Sequence, residues 1–269
     1  MQYQKLKEIL QNKIAPINYS IRGNFTGLQY GDIKLEKNIS KILICVDLTI
    51  DSIYYALKKK VNLIISHHPI FPGKISHFRH LLINKLNLLS KYPISIYILN
   101  SPFISSENGI SEIIAKTLYL KIDNLFKIKE NNRTIPIGRI CRPLELAQSN
   151  HDFTLKNLLE RVRRNLNESN IFYVGELTKR IENICVVGGD TKERKYIIKA
   201  VKMGSDCYIS SNLNHYLANL AQELGLCIVN ISQHDTEMLA LQNLRNFLSL
   251  EFPHDDFLIF ESDDPFKIF

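Results

Sequence analysis

The chain has 269 residues, 45% of them apolar and 23% charged, which is enough to bury a sizeable core in one or two domains of an ordinary soluble protein. Net charge is +7 and pI is near 9.0, but the basic residues are dispersed, with local groups only at 58–60, 161–164 and 192–195 on predicted helices, so the charge reads as solvated faces rather than a polyanion footprint. Five cysteines without any C-x-x-C pair exclude a zinc ribbon and a disulfide framework and imply a reducing compartment. The first residues, MQYQKLKEILQNK, are too polar for a signal peptide, and no apolar run is long enough to span a membrane; a cytoplasmic protein without a membrane partner is expected.

The spacing of Leu6, Ile9 and Leu10 predicts a helix over 1–13, ending before Pro16. FTGLQYGD (25–32) reads as a glycine-punctuated loop or short extended piece, and KILICVDL (41–48) as a strand. Thr49 or Asp51 can cap a helix, DSIYYALKKK, whose buried stripe is Ile53, Ala56 and Leu57. The apolar run VNLIIS (61–66) then completes a βαβ unit and stops at His67, His68 and Pro69. A helix over 77–90, a strand ISIYIL (94–99), a loop over 100–109 and a helix over 110–118 follow. Residues 124–182 break this rhythm with IPIGRI, Pro143, a basic helix (154–167) and the extended IFYVGEL. They are expected to be an inserted or connecting segment. The βαβ rhythm returns at NICVVGG (183–189), with strands DCYISS and LCIVNIS, helices between them, and a C-cap glycine at Gly225. QHDT (233–236) then enters a helix, and DDFLIFES can add a strand. The expected fold is α/β, with two similar βαβ-containing halves on mostly parallel sheets. Residues 1–123 make the first half, 124–182 the insertion, and 183–269 the second half.

Ligands in open α/β sheets bind outside the carboxyl ends of the strands, where the histidine doublet falls. Successive strand residues point to opposite faces, so both imidazoles can serve one site only if the backbone turns there, as Pro69 encourages. Imidazoles so placed suit a metal. Gln233-His234-Asp235-Thr236-Glu237 occupies the same class of crevice. Asp235 or Thr236 as N-cap is its plainer reading, but a carboxylate there also suits zinc, iron or manganese. Asn212 and His215 follow a third strand end. GGD (188–190) resembles a phosphate-cradling turn, although Asp190 would repel phosphate. His77 and His80, at helical spacing, read as surface residues, as do His151 and His254. Nucleotide-binding glycine loops, a nucleophile elbow and H-E-x-x-H are absent from the sequence, which leaves the metal reading foremost.

VDLTIDSIYYALKKKVNLIISHHPIF, NSPFISSENGISEIIAKTL, GGDTKERKYIIKAVKMGSDCYISSN and QHDTE resemble, in order and spacing, the Nif-three-like (YbgI-like) proteins, the GTP cyclohydrolase I type 2 homologs; TGLQYG near the start also fits. The resemblance covers nearly the whole chain. It implies two similar α/β halves, a toroidal homohexamer and a dinuclear metal centre facing its interior. By resemblance, His67, His68 and Glu237 are metal ligands. The family's bridging aspartate falls on Ile104, in a stretch beginning at Asn100, and its C-terminal ligand histidine falls on Gln233. His234 with Asp235, or Glu107, are the substitutes at hand. Three retained ligands suffice for one divalent ion (Zn, Fe or Mn) rather than two, or for none. The function implied is a metal-dependent hydrolase of a nucleotide-like small molecule with an eroded metal site, in which His234 or His215 moves protons. The alternative is a non-catalytic, ring-forming scaffold or binding protein. Nucleic-acid binding through the basic surface is a third class, and it predicts affinity falling steeply with salt.

Overall fold

A computed structural model describes the chain apart from residues 72, 74, 76, 131, 145–151, 169, 191–192 and 268–269, and describes only the backbone at 190. In chain order it runs α1 (Tyr3–Ile9), β1 (Gly27–Tyr30), β2 (Lys41–Cys45), α2 (Ile50–Lys59), β3 (Leu63–Ser66), α3 (His80–Leu89), β4 (Ser95–Ile98), α4 (Asn100–Ser105) and α5 (Ile110–Thr117). There follow β5 (Leu120–Glu130), β6 (Arg133–Pro143), α6 (Leu155–Asn165), β7 (Phe172–Val174), β8 (Ile184–Asp190), α7 (Arg194–Lys202), β9 (Cys207–Ser211), α8 (His215–Glu223), β10 (Cys227–Ile231), α9 (Gln233–Glu251) and β11 (Asp256–Ile259). This is the α/β architecture expected. No helix among the described residues is long and apolar enough to cross a membrane.

The chain divides into two compact units, Met1–Phe103 with Glu237–Phe269, and Ile104–Thr236. The first is built on a five-stranded sheet in the order β1-β4-β3-β2-β11. Strands β11, β2, β3 and β4 run parallel, and β1 pairs antiparallel with β4. Every residue of β3 and β4 is buried, as the unbroken apolar runs demand of strands covered on both faces. Leu43, Ile53, Ala56, Ile64, Ile96 and Ile98 form the middle of this core. Helix α2 starts where it does because the Thr49 hydroxyl accepts the Ser52 N–H at 3.1 Å, and it stops at Lys60, whose φ of 54° is left-handed. Thr49→Ala is expected to destabilise the fold by about 1 kcal/mol in urea unfolding; an unchanged midpoint would show that water replaces the cap without cost.

The second unit holds a six-stranded mixed sheet in the order β5-β6-β8-β9-β10-β7. Only β8, β9 and β10 are parallel. Strand β6 pairs antiparallel with both β5 and β8, and β7 pairs antiparallel with β10. Residues 124–182 are therefore hydrogen-bonded into the same sheet as the later strands. The boundaries at 123 and 182 do not coincide with the compact units, because the pairing partners lie far along the chain. The echo between the halves is closer than the sequence rhythm suggested. In each unit an antiparallel edge strand (β1 or β7) precedes a strand-helix-strand-helix-strand run and pairs with its last strand.

Two local expectations are corrected. Residues 100–105 form helix α4 rather than loop. Asn100 takes a left-handed φ of 50° and its side chain accepts the Ser101 N–H at 2.9 Å, so the polar Asn-Ser-Pro start opens a helix whose first turn tolerates Pro102. Helix α9 begins at Gln233, so Asp235 and Thr236 lie inside it and the capping hydroxyl is that of Ser232, which accepts the Asp235 N–H at 3.1 Å.

Candidate metal site

The doublet sits where β3 loses its regularity. The backbone N–H groups of His67 and His68 both donate toward the end of β2, to the carbonyls of Cys45 (3.0 Å) and Val46 (2.9 Å). The carbonyls of Ser66 and His67 both accept from the chain leaving β4, from Leu99 (2.9 Å) and Asn100 (3.0 Å). A regular strand alternates these directions; here two consecutive groups share each side, so the backbone rolls and both imidazoles face one region. Ser66 fixes the roll, its hydroxyl donating to the carbonyls of His68 (2.7 Å) and Val46 (3.2 Å). The ring centroids lie 4.6 Å apart at 55°. The ring of Phe103 presents an edge contact to His67, with centroids 6.1 Å apart.

Glu237, on the first turns of α9, reaches the same region. Its Oε1 is 3.5 Å from His67 Nε2 and 3.6 Å from His68 Nε2. The three donor atoms lie within 4.8 Å of one another. His67 and Glu237 are each 1% exposed, whereas His68 is 32% exposed and forms the solvent side. Burial raises the Glu237 carboxyl, but His67 and His68 more than reverse this and hold it well below the usual carboxylate range. Burial lowers the His68 imidazole, yet the carboxylates of Asp47 and Glu237 outweigh it and push it up to about 10.

These distances bear on what the site holds. Separations of 3.5 and 3.6 Å are wider than a good N–H···O bond. They come close to the edge of a tetrahedron with bonds of about 2.0–2.1 Å, roughly 3.4 Å, the spacing of two nitrogen or oxygen ligands on one zinc-like ion. Nδ1 of the buried His67 has no hydrogen-bond partner among the described residues. Two imidazoles and a carboxylate also form a common donor set for zinc, iron and manganese. The residues present therefore fit a single divalent cation.

Sequence reasoning missed Asp47. Its Oδ1 lies 3.0 Å from His68 Nδ1, the nitrogen turned away from Glu237. The signal was available: Asp47 lies two residues past the end of β2, at the same carboxyl edge as the doublet.

The residues expected as substitute ligands or proton carriers lie in the second unit. His234 Nδ1 is 3.1 Å from Asp235 Oδ1, and His215, exposed at the start of α8, has Nε2 3.1 Å from Asn219 Nδ2. Gln233 Oε1 accepts a hydrogen bond from Asn212 Nδ2, so the one atom of that amide able to bind a cation is already engaged. Ile104 is 9% exposed, and its Cδ1 would stand 2.6 Å from a Cβ added at Gly189. Ile110 Cγ2 approaches an added Cβ at Gly188 to 2.5 Å, and the Gly188 N–H donates to Ser111 Oγ at 2.9 Å. The glycine pair is thus a close-packing surface for α4 and α5, not the phosphate cradle its sequence resembled. Glu107 is exposed between those helices. His77 lies outside α3, which begins at His80, so the two share no helical face; its Nε2 accepts from Arg79 at 3.2 Å. His254 is exposed, and His151 lies outside the described residues.

Glu168, 7% exposed, accepts the Ser232 N–H at 2.6 Å. Burial raises its carboxyl, the Ser232 bond opposes this and Asp235 adds to it, leaving it at about 7 against an ordinary 4.5. A raised carboxyl contributes stability that is fully present below pH 4.5 and is lost as pH rises through 7. Glu168→Gln, which keeps an oxygen for Ser232, is expected to match wild type near pH 4.5 and to exceed it above pH 7 by about 3 kcal/mol. A stability difference independent of pH from 5 to 8 in chemical unfolding would contradict this.

Fold and site together define an α/β protein with a two-histidine, one-glutamate donor cluster at the carboxyl edge of a parallel sheet. The family model for Duf34/NIF3 (NGG1p interacting factor 3) matches residues 1–265, and the chain belongs to that family. Curated relatives named GTP cyclohydrolase 1 type 2 homolog include that of Methanocaldococcus jannaschii, 28% identical over 91% of this chain and 95% of the relative. That of Clostridium perfringens is 27% identical over 98% and 99%. Among solved structures, a Bacillus cereus protein related to NIF3 superposes with a TM-score of 0.83 at 17% identity, covering 100% of this chain and 99% of the other. Reduced HcgD from Methanocaldococcus jannaschii gives 0.79 at 26% identity, covering 97% and 98%.

Proposed function

We propose that this protein is a metal-dependent hydrolase of a nucleotide-like small molecule, working with one divalent cation held by His67, His68 and Glu237. The convergence of those three donors, two of them almost fully buried, carries the reading. A divalent cation bound there supplies Lewis acidity, polarising the bond under attack and acidifying water. The chain's own part is to hold the anionic Glu237 and the two imidazoles at fixed spacing. It leaves the His68 side open to substrate. The name borne by the relatives makes GTP the first substrate to try. Protein purified without chelator and incubated with GTP is expected to release formate or a fluorescent pteridine, with turnover abolished in a His67→Ala/His68→Ala variant and by chelation. Equal metal content in wild type and variant by mass spectrometry would remove the metal reading altogether.

The packing of Ile104 on Gly189 and the engagement of Gln233 by Asn212 favour a second reading, a scaffold or binding protein that has kept the fold without turnover. Metal-dependent release of product excludes it. Both readings share a proposed hexameric ring, which native mass spectrometry would register at six times 31.1 kDa. A monomer at micromolar concentration would remove the ring.

A further inference from the structure

We infer that Asp47 is the positioning residue that makes His68 a metal ligand, an inference that rests on the cation seat proposed above. A carboxylate can only accept, so a partner 3.0 Å from Asp47 Oδ1 must donate, and the His68 proton belongs on Nδ1. With Nδ1 keeping its proton toward Asp47, Nε2, the ring atom facing Glu237 across 3.6 Å, is the nitrogen that gives up its proton to a cation. Asp47 thus fixes the proton, the ring plane and the basicity of the coordinating nitrogen at once.

Asp47 is itself held. Its carbonyl accepts from the Ser52 hydroxyl at 3.0 Å, and the Val46 carbonyl beside it accepts both the His68 N–H at 2.9 Å and the Ser66 hydroxyl at 3.2 Å. The same few residues that end β2 and open α2 therefore set the carboxylate against the ring. The two histidines are unlike in this respect. His67 is 1% exposed and is oriented by burial and by the edge of Phe103, and its Nδ1 meets no acceptor among the described residues. His68 is 32% exposed and is the ligand that most needs an orienting group. Asp47 is half exposed, so its removal leaves little of the core disturbed.

The test is cobalt(II) affinity by chelator competition, the visible absorption of the cobalt-loaded protein and the urea midpoint, for wild type, Asp47→Asn and Asp47→Ala. Affinity is expected to fall 10–100-fold, more for alanine than for asparagine, with altered cobalt absorption and an unchanged midpoint. Wild-type affinity in both variants, or a loss that only follows a lowered midpoint, overturns the role of Asp47 while leaving the seat intact. Failure of the wild-type protein to take up cobalt removes the seat, and this role with it.

Discussion

Replacing Glu237 by glutamine is expected to cut divalent-metal affinity by at least 100-fold. The carboxylate is the only anion among the three converging donors, and its Oε1 is the atom both Nε2 positions face, at 3.5 and 3.6 Å. An amide oxygen occupies the same volume but brings no charge to offset that of the cation. Isothermal titration with zinc or cobalt measures the effect directly. Because the two imidazoles favour the anion in the folded state, its loss also costs stability, and a urea unfolding curve of the variant is recorded beside the titration to confirm that it is folded. Retention of wild-type affinity in Glu237→Gln would mean that the ion, if bound, sits elsewhere.

The largest expected loss of stability lies in the second unit, at Arg139. This side chain is 2% exposed and uses all its donors inside the protein. Nη1 donates to the carbonyls of Pro136 and Gly138, both at 3.1 Å. Nη2 donates to those of Ser105 (3.3 Å) and Ser106 (2.7 Å), and Nε and Nη2 to Glu112 Oε2, each at 3.1 Å. The guanidinium thereby ties β6 to the turn between α4 and α5. Burial raises the Glu112 carboxyl, but Lys116 and Arg139 outweigh this and hold it below its ordinary value. Arg139→Met fills much of the space yet strands four carbonyls and a carboxylate, at a cost of about 3–5 kcal/mol. Urea unfolding of the variant measures it, and a loss under about 1 kcal/mol would show that water reaches these groups.

How far the sequence discloses this molecule depends on the range of the interaction concerned. Strands β2, β3, β4, β8, β9 and β10 were legible because a parallel strand covered on both faces is a continuous apolar run, and its period needs no partner to be read. The Thr49 cap and the Gly225 turn were legible because each is settled within four residues. The hairpin of β5 and β6 and the edge strand β7 look like a separate segment in the sequence, since nothing local in IPIGRI or IFYVGEL says that β8 and β10 are their partners. Helix α4 was missed because asparagine, serine and proline usually mark loops, and only the left-handed Asn100 turns them into a helix start. At the site, the doublet and Glu237 came from residue type and strand-end placement joined to a family resemblance. Asp47 escapes because the sequence reads it as part of the strand over 41–48, and nothing singles it out until its distance to His68 is known. The glycine pair misleads for the opposite reason: Gly188 and Gly189 are required by the close approach of Ile110 and Ile104, side chains far back along the chain.

Whether a cation has its seat between the imidazoles and the glutamate is decided most directly by anomalous X-ray scattering from crystals of protein purified without chelator and soaked in zinc or manganese. The account predicts a single peak per chain, about 2.0–2.2 Å from a ring nitrogen of His67, from Nε2 of His68 and from Oε1 of Glu237. Crystals that show no peak there, with His67, His68 and Glu237 simply hydrogen-bonded to one another, would contradict it.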